Sequence, residues 1–280
     1  GAPPAGPNQV YLTSVTATSG PVPIGAVLIS AAELPPGGPM DYYMGRIWIA
    51  AGRQYLAGDI VRGPSGTAAY NLEDSILKST ENTYITSGGV FTVPSNAGNI
   101  RALNHPANLD TALGEAQLLP FTRRNIYSTN VVPTRAQWAA LSEPIQRVAQ
   151  KNFGTTSDRS VVPVNGDLFY QSVDGVRSLQ QAIRYFQQWG NVPVSNEVQR
   201  ATNLNDKSLL RFGTGIEFDN RLLESCLPFE CPVGVAHPGL LSLNFSLLNS
   251  IQEKLPPAWE GVWQGLNVLQ LLKGDFGGRQ

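Results

Sequence analysis

The sequence predicts a mainly β chain, a β-propeller-like array of short antiparallel sheets with a few short helical insertions. Three observations lead there. Six stretches read as strand, turn, strand, and 28 Gly with 21 Pro make the chain rich in turns. At 280 residues, it is also longer than one sandwich needs but suits several small sheets. A two-sheet β-sandwich with long loops is the alternative fold.

The first 23 residues, rich in Pro, Gly, Thr and Ser, read as an N-terminal arm or linker in which Val10 to Val15 supply an edge strand. Residues 24–280 read as the propeller-like domain, incomplete at its C-terminus because the chain stops at Gly277-Gly-Arg-Gln280 just after an apparent turn. Pro35-Pro-Gly-Gly-Pro39 marks a rigid, irregular loop. The hairpin stretches follow at 46–56, 84–93, 118–127, 167–179, 216–223 and 268–276. Each sets a run of β-branched, aromatic or leucine residues on either side of a turn.

Asp174-Gly175 is the clearest turn, since Gly tolerates the positive φ of a tight primed turn. Around it the alternation places Leu168 and Tyr170 on one side and Phe169 and Gln171 on the other, with Ile47 and Ile49 flanking Trp48 in the first stretch. Apolar residues on both sides imply sheets covered on both faces. With Gly52, Gly88, Arg124, Asp174, Asn220 and Gly274 as turn markers, the gaps are 36, 36, 50, 46 and 54 residues. Propeller repeats run about 40 to 50 residues per blade.

Between the strands, residues 134–144 place Trp138 and Leu141 three apart behind Thr134 as N-cap. Residues 176–189 align Leu179, Ile183, Phe186 and Trp189 on one helical face that Gly190 stops, and Ser195-Asn-Glu-Val198 starts another short helix. Residues 72–82 form a short helix or turn. Pro256-Pro257 precedes Trp259, Trp263 and the final strand pair.

The formal net charge of −1, with 15% charged residues, offers no broad basic field for nucleic acid, and Arg123-Arg124 reads as a solvated turn. No apolar run reaches the roughly 18 residues that span a bilayer, so a soluble chain without a membrane anchor is expected. The N-terminus has neither the charged nor the apolar region of a signal peptide. Cys226 and Cys231 stand either as a loop disulfide or as two free thiols. His105 and His237, the only histidines, both precede a proline and read as loop residues, too far from the cysteines to complete a zinc site.

The sequence contains no Gly-x-Ser-x-Gly elbow; Gly63-Pro-Ser-Gly66 lacks the spacing. Gly213-Thr-Gly215 lacks the third glycine of a dinucleotide loop and reads as the start of a strand, and Asn203-Leu-Asn-Asp206 reads as a turn, not a calcium loop. The one enzymatic pattern is a set of carboxylates, Asp59, Asp167, Asp174, Glu217 and Asp219, in or beside strands, where glycosidases mount paired acids. Asp174 and Asp219 fall in turns, where Asp is favoured for bonding its own backbone. The expectation is therefore no enzyme, no catalytic, cofactor-binding or metal-binding residue, and no cofactor.

Gly45-Arg-Ile-Trp-Ile-Ala-Ala-Gly-Arg53, Gln117 to Tyr127, Asn165 to Leu179 and Glu217-Phe-Asp-Asn-Arg-Leu-Leu223 resemble the blade strands of β-propeller structural proteins in bacteriophage tails, the tail nozzle of short-tailed phages being the nearest type. The resemblance covers residues 46–223 in patches. It implies a virion protein of the tail, a nozzle or hub, that assembles as a ring of copies with other tail proteins, helps form the DNA conduit and contacts packaged DNA. It carries over no catalytic residue. The balanced charge departs from what a DNA-lining component leads one to expect. The alternative function is a carbohydrate-binding or glycan-cleaving propeller that recognises a host surface.

Overall fold

The computed structural model describes residues 34–58, 89–106, 117–132, 137–138, 141, 145–179, 192–246 and 257–274. These residues are mainly β and build four small antiparallel sheets, each drawn from one contiguous stretch of chain.

Sheet 1 is a meander of β1 (Met40–Tyr43), β2 (Arg46–Ala51), β3 (Gln54–Ala57) and β4 (Val90–Thr92). Met44 and Gly45, both at positive φ, make the two-residue turn between β1 and β2, the twist that matches right-handed strands. Sheet 2 orders β5 (Ile100–Asn104), β6 (Leu119–Thr122), β7 (Ile126–Thr129) and β8 (Gln146–Gln150) in the same way. The Thr122 side chain closes its β6–β7 turn, donating to the Asn125 carbonyl and accepting from the Asn125 N–H.

Sheet 3 contains β9 (Val162–Val164), β10 (Asp167–Ser172) and β11 (Gly175–Ser178). Sheet 4 begins with β12 (Gly215–Phe218) and β13 (Arg221–Cys226), joined through Asp219 and Asn220 at φ 50° and 55°. Its long strand β15 (Gly234–Asn244) pairs on one side with β13 and the short β14 (Phe229–Cys231), and on the other with β16 (Ala258–Val268). The helical insertions among the described residues are short 3-10 turns, the helical turn Gln199–Thr202, and Leu179, helical directly after β11.

Three apolar cores join the sheets in chain order. Trp48, Tyr55, Leu103, Leu118, Tyr127 and Trp138 fill the first, between sheets 1 and 2. Ala102, Leu119, Phe121 and Ile126 of sheet 2 meet Leu168 and Tyr170 of sheet 3 in the second. Val162, Phe169 and Val176 meet Leu222, Leu241 and Leu243 of sheet 4 in the third. Sheets 2 and 3 therefore bury both faces. Strand β10 shows the period-two logic directly: Leu168 and Tyr170 face one core and Phe169 the other, as their alternation predicts. Each such fully buried side chain contributes about 1.5–3 kcal/mol relative to exposure, and the aromatic ones add geometry, with Phe121 and Tyr170 tilted at 5.5 Å and Phe169 edge-on to Phe245 at 5.4 Å.

The structure corrects the spacing. The first strands of the sheets start at Met40, Ile100, Val162 and Gly215, which are 60, 62 and 53 residues apart. In the stretch 84–93, the described strand is β4, which pairs with β3 and so completes sheet 1 instead of opening a new hairpin. In the stretch 268–276, Val268 ends β16 and residues 269–274 form no strand. Of the expected helix at 176–189, residues 176–178 belong to strand β11 instead, because Ser172 and Gly175 pair across a two-residue loop, and Leu179 directly after them is helical. That loop is Val173-Asp174; Gly175 itself sits in the strand at φ 141°, where a Cβ would come 3.2 Å from the Pro193 side chain.

Ser195 to Val198 do form a 3-10 turn leading into the helical turn Gln199–Thr202. Residues 1–33, including the arm and the Val10 to Val15 strand, lie outside the described residues, as do 72–82, Gly63 to Gly66, most of 134–144, and 180–189.

Candidate functional site

The carboxylates of the glycosidase pattern are engaged one by one. Asp59 lies outside the described residues. Asp167 accepts from the Leu168 N–H at 2.7 Å and from the Ser178 hydroxyl. Asp174 pairs with Arg177, whose guanidinium stacks 3.7 Å from the centre of the Phe153 ring. Glu217 pairs with Lys273 at 2.7 Å, and Asp219 with Arg221 at 2.6 Å. Each of these four has its own partner, and Asp167, Asp174 and Asp219 find theirs within their own hairpins, the role expected of strand-end and turn carboxylates.

His105 follows β5 as a loop residue, but it is not solitary. Its Nδ1 lies 2.7 Å from Asp41 Oδ2, and its ring lies 5.5 Å from that of Tyr43, which ties the end of sheet 2 to sheet 1. His237 corrects the loop expectation. It lies inside β15, buried, at a register shift between His237 and Gly239 that accommodates Pro238. Burial holds its pKa below the usual histidine value, against a hydrogen bond with the Val268 carbonyl.

Both cysteines are free thiols. Cys226 lies in the third core, where burial pushes its pKa up to about 12; Cys231 is half-buried. Among the described residues no three His, Cys, Asp or Glu side chains gather as metal ligands.

Two features carry chemistry that the sequence did not announce. The first is Glu224, fully buried on β13 between Leu222 and Cys226, on the face that meets sheet 3. Neither carboxyl oxygen has a hydrogen-bond partner, and burial raises its pKa well above the usual carboxylate range. Burial thus favours the protonated, neutral form of this acid. Gly215, its partner across the ladder, leaves it room, since a Cβ there would come 2.6 Å from the carboxyl. Gln171 reaches into the same junction of sheets 3 and 4, with its Nε2 on the Ser225 carbonyl and its Oε1 without a partner.

The second feature is a cleft of about 440 Å³ lined by Arg101, Arg123, Thr156, Lys207, Ser208 and Arg211. Arg101 comes from β5 and Arg123 from the β6–β7 turn, while Lys207 and Arg211 come from the segment that links the helical turn to sheet 4. Four exposed cations therefore converge from separate parts of the chain. Arg123 was expected as a solvated turn residue, which it is, yet it also lines this cleft. A net charge of −1 conceals such clustering, because no two of the three segments are adjacent in sequence.

No family model matches the chain, and no curated protein matches it. Among solved structures, it is similar to a chain in the crystal structure of the Chaetomium thermophilum heterotrimeric Nup82 NTD-Nup159 TAIL-Nup145N APD complex, at 15% identity and a TM-score of 0.36. The match covers 75% of this chain and 43% of that one, so the chain spans less than half the length of its match. A likeness this low carries no argument about function.

Proposed function

We propose that the chain is a structural, non-enzymatic protein of a bacteriophage virion, a tail nozzle or hub component that assembles with copies of itself and other tail proteins into a ring contributing to the DNA conduit. The observation that carries the reading is the succession of four small sheets packed face to face through three apolar cores. Such a stack is stiff, because every inner sheet is buried on both faces. The phage assignment rests on the resemblance of the strand segments at 46–223 to tail propeller proteins.

Apolar side chains left exposed on β16 and just beyond it support assembly: Trp263 at 40%, Leu266 at 52%, Leu269 at 47% and Leu272 at 79%. The glycan-recognising alternative has thinner support, since Trp48, Tyr55 and Trp138, the aromatic group best built for stacking on sugar, fill the first core. Native mass measurement tests the assembly. The reading expects a closed multimer that Leu266→Glu together with Leu272→Glu reduces to monomer; a wild-type protein that stays monomeric at high concentration counts against it, and saturable glycan-array binding favours the alternative.

A further inference from the structure

We infer that the cleft lined by Arg101, Arg123, Lys207 and Arg211 binds a phosphate-bearing polyanion. The inference stands on the cleft alone and is independent of ring assembly. Four cations line it and no carboxylate does. None of the four forms an ion pair among the described residues, and the one ring contact is Arg211 over its neighbour Phe212 at 4.6 Å. Cations gathered this way repel one another, and a multiply charged anion between them turns that repulsion into attraction.

The cleft has the size of a small-molecule site, in the range of roughly 300–1,000 Å³. Its donors are the right kind. Three guanidinium groups provide planar forks that match phosphate oxygens in pairs, and one ammonium adds a point charge. The two hydroxyls are already committed: Thr156 donates to the Gln171 carbonyl at 3.1 Å, and Ser208 to Asp206 at 2.7 Å. The cations are therefore the groups left to meet the ligand. Asp206, bonded also to the Ser208 N–H, fixes the turn that carries Lys207.

The shared chemistry is the phosphate oxyanion, whether free as a polyphosphate or carried on a nucleic-acid backbone. Calorimetric titration of the 280-residue protein with inorganic tripolyphosphate at low ionic strength tests it. Saturable one-to-one binding is expected, weakened about tenfold by Arg101→Gln and by Arg211→Gln, each losing one charge-assisted contact. Arg124→Gln, on the same turn as Arg123 but outside the cleft, should leave binding unchanged; all three residues are exposed, and unaltered melting curves verify folding.

A short DNA duplex that binds with the same dependence on Arg101 and Arg211 identifies the phosphate as nucleic-acid borne; tripolyphosphate binding without duplex binding identifies a free polyphosphate. The absence of saturable binding by either ligand overturns the inference. So does binding insensitive to Arg101 and Arg211, or binding equally weakened by Arg124→Gln.

Discussion

The Tyr55 hydroxyl lies 2.8 Å from the Thr129 hydroxyl, across the core that joins sheets 1 and 2 and 74 positions away in sequence. Burial holds the phenol's pKa well above its usual value, so the pair stays neutral and its bond is made in a nearly dry setting. Tyr55→Phe leaves the Thr129 hydroxyl without this partner and should cost about 1–2 kcal/mol. Urea unfolding reads that loss as a lower midpoint with an unchanged slope.

Strand β10 serves two cores at once, Leu168 and Tyr170 in one and Phe169 in the other. Phe169→Ala should destabilise by about 3–5 kcal/mol, as a large cavity in a packed core does. An exposed residue such as Phe218, changed to Ala, should shift stability by no more than about 0.5 kcal/mol. Comparing the two unfolding midpoints checks the contrast.

The β10–β11 hairpin and the faces of Leu168 to Gln171 were legible in the sequence because alternation and turn chemistry act over a few residues. The Asp219-Asn220 turn was legible for the same reason, both residues tolerating left-handed backbone. What the sequence hid was which strands share a sheet. The pairing of β4 with β3 spans residues 59–88, so two hairpin-like runs merged into one sheet and the apparent period came out too short. The hairpin reading of 167–179 and the helical reading of 176–189 overlap at residues 176–179, and pairing with β10 resolves the overlap in favour of strand as far as Ser178. The basic cleft left no local trace, since Arg101, Arg123, Lys207 and Arg211 meet only after sheet 2 and the segment before sheet 4 come together.

Glu224 makes stability depend on pH. Its folded pKa is raised above the unfolded value near 4.5, so the acid is protonated in both states below that pH and costs nothing electrostatically. As pH rises above 4.5 the unfolded chain releases the proton and the folded chain retains it, so stability falls by up to about 1.4 kcal/mol per pH unit until the folded pKa is passed. Glu224→Gln should flatten that slope and be the more stable protein at neutral pH. Melting temperatures of both proteins between pH 4 and pH 8 provide the comparison, and parallel curves would contradict the assignment.

The two thiols should differ sharply in reactivity. Cys226 is buried with a raised pKa, while Cys231 is half-buried. A thiol reagent added to the native protein should label Cys231 alone, and a second thiol should appear only on unfolding. Peptide mass mapping of the labelled protein distinguishes the two, and finding neither thiol available even after unfolding without reductant would indicate a bridge.

That this stack of sheets is a building part of a phage tail is the central proposal. Density mapping and protein analysis of phage particles purified from the source of the chain test that proposal most directly. The prediction is a symmetric ring of copies around the tail axis, into which the four sheets fit as a rigid unit. Particles whose density and protein content lack the chain would contradict it.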